Sequence, residues 1–295
     1  MEDKKRRDLL VSGATVTAVA AIGLGAGGLA GCSGPFSKEI DVPLPDVWRN
    51  DVMYGYFGCM GNQVVETREH INLFMETNWM GLDGCIANIL TAKLPTILDV
   101  SWYVFTPTDK GDGRTVRPDA ESMLTGYFAS LQAAGALQYV KILYPMDEPN
   151  NVVVNEDELV KGINLIRKVA AGFKDLIGAK YAVIYATDKP YMGIGEYDYV
   201  GIDNYDERSE ILKTMYPLLK NQLKPGQKTI LVPGGQSPWE QDPEPFVNFA
   251  QRNLEVGILL PFLWCDLPNS KPGIRSNKTR DQYIAAGRIT IGKDR

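Results

Sequence analysis

Histidine is almost absent from this 295-residue chain: His70 is its only one. A zinc site or a metal-dependent hydrolase therefore has little to draw on, and no metal and no cofactor is expected. Cysteine is scarce too, at four residues, which excludes a disulfide scaffold. The chain has no basic run beyond its first residues. Lys4, Lys5, Arg6 and Arg7 stand against Glu2, Asp3 and Asp8 there, a balance of +1 that leaves −6 of the formal −5 on the remainder. An acidic body of this kind argues against nucleic acid as a partner. A dinucleotide-type glycine turn is missing as well, because "YFGCMGN" after the first β-rich run lacks the required spacing. What is present is 44% hydrophobic and 23% charged residues, a globular composition long enough for one domain of barrel size.

The first thirty-odd residues read as an address to be set aside from fold reasoning. A basic start, "KKRRDLL", precedes a Gly/Ala-rich apolar stretch that closes on "LAGC" at Leu29 to Cys32. This layout resembles a bacterial lipoprotein signal over residues 1–31, which implies lipidation of Cys32, a membrane attachment and a place in the cell envelope. Arg6-Arg7 before "DLL" also resembles a twin-arginine export signal. Residues 32–49 then form a linker, and 50–295 the globular domain.

From Pro43 onward one rhythm repeats: a short β-rich run, a polar turn, a helical pattern. The runs fall at 51–57, 79–85, 96–105, 140–145, 181–186, 199–205, 229–235 and 257–264. Between them, apolar residues recur at helical spacing, as in "EDELVKGINLIRKVAAGFKDL". Continuous apolar strands alternating with helices predict a parallel sheet covered on its outer face, and eight such units predict an α/β fold of the (β/α)8 TIM-barrel type. The stretch "TDKPYMGIGEYD", between the fifth and sixth runs, is too rich in turn formers for a normal helix. His70, inside the helical pattern "VVETREHINLFMETN", is expected at a surface or interface.

Active sites of such barrels lie at the carboxyl ends of the strands. The fourth run ends on "YPMDEPN", which puts Asp147 and Glu148 at the mouth. Two adjacent carboxyls, partly withdrawn from water, repel each other and raise their pKa, so that one can hold a proton near neutral pH and give it to a departing oxygen. Pro149 is expected to restrict Glu148 to an extended backbone.

At this motif the chain resembles the clan A glycoside hydrolases, whose fourth strand ends in Asn-Glu-Pro with the glutamate as acid/base. Glu148-Pro149 matches and Asp147 replaces the asparagine. The resemblance implies an aromatic floor at Trp264 and places Tyr205 near a family tyrosine. It breaks on strand seven, where "TILVPGGQSPWEQD" offers Gln236 near the expected nucleophilic glutamate. An amide cannot form a glycosyl ester, so Glu240, Asp203 and Asp266 become the candidates for the second carboxylate.

Aromatics crowd the predicted strand ends: Trp102, Tyr103, Tyr144, Tyr205, Trp239 and Trp264. Flat rings there suit the apolar faces of sugars, and Asp83, Asp99, Asp188, Asp203 and Asn204 add acceptors for hydroxyl groups. Two functions follow: a lipid-anchored glycoside hydrolase using Glu148, or a barrel that binds glycan or an envelope partner without cleaving it. Cys59, Cys85 and Cys265 are expected to end neighbouring strands, which permits a Cys59–Cys85 bridge.

Overall fold

The computed structural model describes residues 48–61, 63–186, 191–203, 211–266 and 272–294. The expected signal, Cys32, most of the linker, Asp188, Asn204 and Tyr205 lie outside them. The described residues belong to the compact unit Pro43–Arg295.

In chain order the elements begin with strand β1 (Met53–Tyr54), helix α1 (Gln63–Thr67), β2 (Phe74–Glu76), α2 (Gly81–Ala92) and β3 (Thr96–Asp99). A short helix α3 (Ser101–Val104) leads into an antiparallel hairpin, β4 (Phe105–Pro107) and β5 (Arg114–Val116). Next come α4 (Ala120–Ala133), β6 (Val140–Tyr144), α5 (Pro149–Val152), α6 (Glu156–Ala170), β7 (Lys180–Tyr185) and β8 (Tyr199–Asp203). The chain closes with α7 (Tyr216–Lys220), β9 (Lys228–Val232), α8 (Glu244–Arg252), β10 (Val256–Leu259) and α9 (Arg280–Thr290).

Eight strands form one sheet in the order β1, β10, β9, β8, β7, β6, β3, β2, with every pair parallel. Its two ends meet where the Tyr54 carbonyl accepts from Leu73 N at 3.1 Å and Asn72 Oδ1 accepts from Tyr54 N at 2.7 Å. The sheet thus curls into a (β/α)8 barrel. Strand alternation divides the buried side chains into two cores. Leu73, Met75, Ile97, Ile142, Tyr144, Ile184, Ile230, Val232 and Ile258 fill the interior, while Phe74, Leu98, Leu143, Val183, Val200 and Leu231 face the helices.

The second strand differs from expectation. Residues 79–85 are not a strand, and most belong to α2, whose buried Cys85, Asn88, Ile89 and Ala92 follow helical spacing. Its strand is the three-residue run Phe74–Glu76, buried on both faces and hidden in a segment that reads as helical. Helix α1 stops at Thr67, and Asn72 turns its side chain onto β1 instead of continuing the helix. The third run is likewise cut at Asp99. Between β7 and β8 the described residues hold only a 3-10 turn at Ile194–Glu196, in keeping with the turn-rich sequence there.

Candidate active site

Strand β6 points Ile142 and Tyr144 into the barrel. Past its end the chain stays beside β7, bridging Asp147 to Ile184, with Glu148 N donating to the Ile184 carbonyl at 3.0 Å. This carries Asp147 to the mouth, where the Tyr144 hydroxyl donates to its Oδ1 at 2.5 Å. Asp147 is open to solvent, yet it stands deep among protein atoms. That depth, together with the charges of Glu148, Asp203 and Asp99, pushes its carboxyl well above the usual range against the opposing Tyr144 bond.

Two more carboxylates belong to this end. Asp99 closes β3 on the same alternation as the inward Ile97, and accepts from Ser101 N at 2.8 Å. Burial pushes it up to about 6, although the Ser101 bonds and the Arg114 charge pull the other way. Asp203 closes β8 and is buried.

Glu148 differs from expectation in its backbone. Its φ of 46° and ψ of 55° are left-handed rather than extended, an uncommon state for a residue with a Cβ. There it caps α5, and its Oε2 accepts from Asn151 Nδ2 at 2.9 Å. Of the two carboxylates in the motif, Asp147 is the one tied to the barrel interior.

Glu76 escaped the sequence reading because its strand did. It shares the outward alternation of Phe74, toward α2, accepting from Asn88 Nδ2 at 3.0 Å and Asn78 N at 2.8 Å. Burial is the main cause that pushes it up to about 7, and Asp99 adds to it.

The expected aromatics divide. Trp102 is half-buried with the Arg114 guanidinium 4.7 Å above its ring. Tyr103 stacks on Tyr127 at 3.9 Å and its hydroxyl accepts from Asn78. Trp239 is half-buried in the loop after β9. Trp264 does not line the mouth: it is fully buried against Tyr56 and His70 in the outer core, because the chain leaving β10 turns it toward the helices. Besides Tyr144 and Tyr199, the aromatics of the interior core are Phe57, Trp79 and Phe262, with Phe57 5.3 Å from Phe262 and 6.3 Å from Trp79. Trp79 and Phe262 remain partly exposed.

Asp266 ties its own loop, accepting from Gly273 N at 2.8 Å and Ser276 Oγ at 2.6 Å. Glu240 accepts from Ser237 Oγ, and Asp83 is exposed on the first turn of α2. Gln236, in the bend after β9, is buried, and its Nε2 has no hydrogen-bond partner among the described residues. His70 is buried rather than at a surface, and burial lowers it to about 4. Cys59, Cys85 and Cys265 are buried free thiols, so the bridge is not made; Cys85 sits on a helix, with its sulfur 3.1 Å from the Tyr127 hydroxyl. Among the described residues no group of three or more His, Cys, Asp or Glu is arranged to hold a metal ion.

No protein-family model matches the sequence, and no curated protein is similar to it in sequence. Solved structures do share the fold. A GH2 β-galacturonidase from Eisenbergiella tayi bound to galacturonate superposes with a TM-score of 0.51 at 10% identity, covering 77% of this chain and 46% of its own. A fungal β-1,4-galactanase gives 0.49 at 13% identity, over 71% and 88%. A 2,3-dimethylmalate lyase gives 0.45 at 10%, over 72% and 75%. Glycoside hydrolases recur among these neighbours. At such identities the likeness shows the fold alone.

Proposed function

We propose that this barrel hydrolyses a glycosidic bond of an oligo- or polysaccharide, with Asp147 as proton donor. One observation carries the reading: a solvent-open carboxyl is held at the end of β6 by Tyr144, and its surroundings push its pKa well above the usual carboxylate range. In the reaction the Asp147 proton passes to the glycosidic oxygen as its bond to the anomeric carbon breaks. Asp203, whose charge reaches Asp147, stabilises the positive charge that develops and either attacks that carbon, giving an ester that a water then hydrolyses as Asp147 takes its proton, or takes the proton of a water that attacks instead. Glu148 stands beside the donor and helps to set its pKa. Trp79 and Phe262 offer rings for a sugar face.

Because barrels of this kind host many chemistries, the site and not the fold must bear the test. Reducing-end release from a broad glycan panel, run beside Asp147→Asn and Glu148→Gln, provides it. Full activity in Asp147→Asn would refute the assignment. Product anomers read by NMR would then tell direct attack by Asp203 from attack through water.

A second reading rests on Gln236. An amide where the resembled family keeps a nucleophile favours a barrel that binds glycan without cleaving it. Binding with no sugar released by the unmodified protein would select this reading.

The amino-terminal signal layout supports export to the cell envelope and lipid anchoring at Cys32. A Cys32→Ala protein should then move from the membrane to the soluble fraction, and an unchanged distribution would count against the anchor.

A further inference from the structure

Arg114 lies on β5, whose backbone bridges to Val153 past α5 and accepts from Val154 N at 3.1 Å. The hairpin is thereby held beside the carboxyl end of β6, within electrostatic reach of Asp99. Its guanidinium carbon stands over Trp102, 4.7 Å from the ring centre, and the residue is half-buried. Arg49, Arg117, Arg167, Arg275 and Arg288 each grip a carboxylate in this fold. Arg114 does not: among the described residues its side chain makes no hydrogen bond and no ion pair, Asp99 being beyond ion-pair range.

From this arrangement we propose that Arg114, stacked on Trp102, receives the carboxylate of an acidic sugar, so that the glycan entering this barrel carries uronic acid units. The inference rests on the glycan reading above and names its substrate class. A guanidinium partly stripped of water and given no acceptor has lost solvation that nothing replaces, and a carboxylate restores it. Stacking on Trp102 uses the face of the group and leaves its edge for the two parallel N–H···O bonds that a planar carboxylate accepts. The acidic neighbourhood is less hostile to an anion than its composition implies. Burial pushes Asp99 up to about 6 and Asp147 well above its usual range, so each holds its negative charge less readily than an ordinary carboxylate.

The test is calorimetric binding of short oligogalacturonates and oligoglucuronates to the full-length protein. The same oligomers with their carboxylates reduced to alcohols, and neutral β-linked oligosaccharides, serve as comparison. The carboxylated forms should bind at least ~10-fold more tightly than their reduced counterparts, about 1.4 kcal/mol. Arg114→Gln should abolish that preference, with a cooperative thermal melt showing that the variant is folded, and Arg114→Lys should keep part of it. Equal affinity for both forms, or a preference that survives in Arg114→Gln, overturns the inference. If neutral glycans bind or are cleaved without any preference for acid, this inference alone fails. If neither neutral nor acidic glycans bind, the glycan reading fails with it.

Discussion

The Tyr144 hydroxyl reaches up from the barrel interior to donate a 2.5 Å hydrogen bond to Asp147, three residues later in the chain. One ring thus ties the packed core of the barrel to the acid at its mouth. Its bond favours the ionised carboxylate and opposes the burial and like charge that raise the Asp147 pKa. In Tyr144→Phe that opposition is gone, so the alkaline limb of the pH–activity profile should move upward. A profile unchanged in position would separate Asp147 from the catalytic proton.

Asp147→Asn is expected to lower hydrolysis by ~10²-fold or more. Glu148→Gln should cost less, since its carboxylate is engaged with Asn151. Stability should move oppositely to activity. An acid whose folded pKa is raised favours the folded state fully only below its unfolded pKa, and loses that contribution as pH rises through the folded value. Asp147→Asn should therefore melt higher than the parent above neutral pH, with little difference near pH 4, as read by thermal unfolding across pH.

Glu76 gives a second pH signature, independent of any substrate. Its folded value of about 7 lies above the ordinary glutamate value of 4.5, so its contribution is present below pH 4.5 and disappears between there and about 7. Over that window the loss attributable to this one group is about 3 kcal/mol. Glu76→Gln should flatten the fall in unfolding free energy, although a Gln cannot accept from both Asn78 and Asn88. An unchanged slope would show that Glu76 titrates normally.

The three cysteines should resist a thiol reagent until the barrel unfolds. Each is buried, and burial pushes the Cys85 and Cys59 thiols well up, so little thiolate is present at neutral pH. Thiol titration of a chain lacking Cys32 should find almost no reaction in the native state and three groups in denaturant. Fewer than three in denaturant without reductant would mean that a disulfide forms after all.

The strand rhythm was legible because parallel barrel strands are buried on both faces and write continuous apolar runs, as in "VKILY" and "YAVIY". β2 was not, because three residues leave no period to read, and the helical spacing of Cys85, Asn88 and Ile89 competed with the strand-like composition just before it. Asp147 was legible as the end of a strand, yet its pairing with Tyr144 was not. Trp264 misled because the alternation of β10 runs on through Leu260 and Phe262 and then slips: Leu263 packs on the interior core as Phe262 does, which turns Trp264 to the outer one. Phe262 and Arg114 carried no local signal at all. Their importance comes from what stands beside them.

The sequence by itself determined the alternation of strand and helix, the acidic body poor in histidine, and the placing of "DEP" at a strand end. Each is a local matter of composition, period and turn chemistry. Closure of the sheet decided the rest: that Asp99, Asp147 and Asp203 share one end, that Glu148 turns toward its own helix, and that Arg114 settles on Trp102. Asp99, Asp147 and Asp203 lie tens of residues apart in the chain, and the energies of all these groups depend on distance and burial, which exist only once the strands have closed.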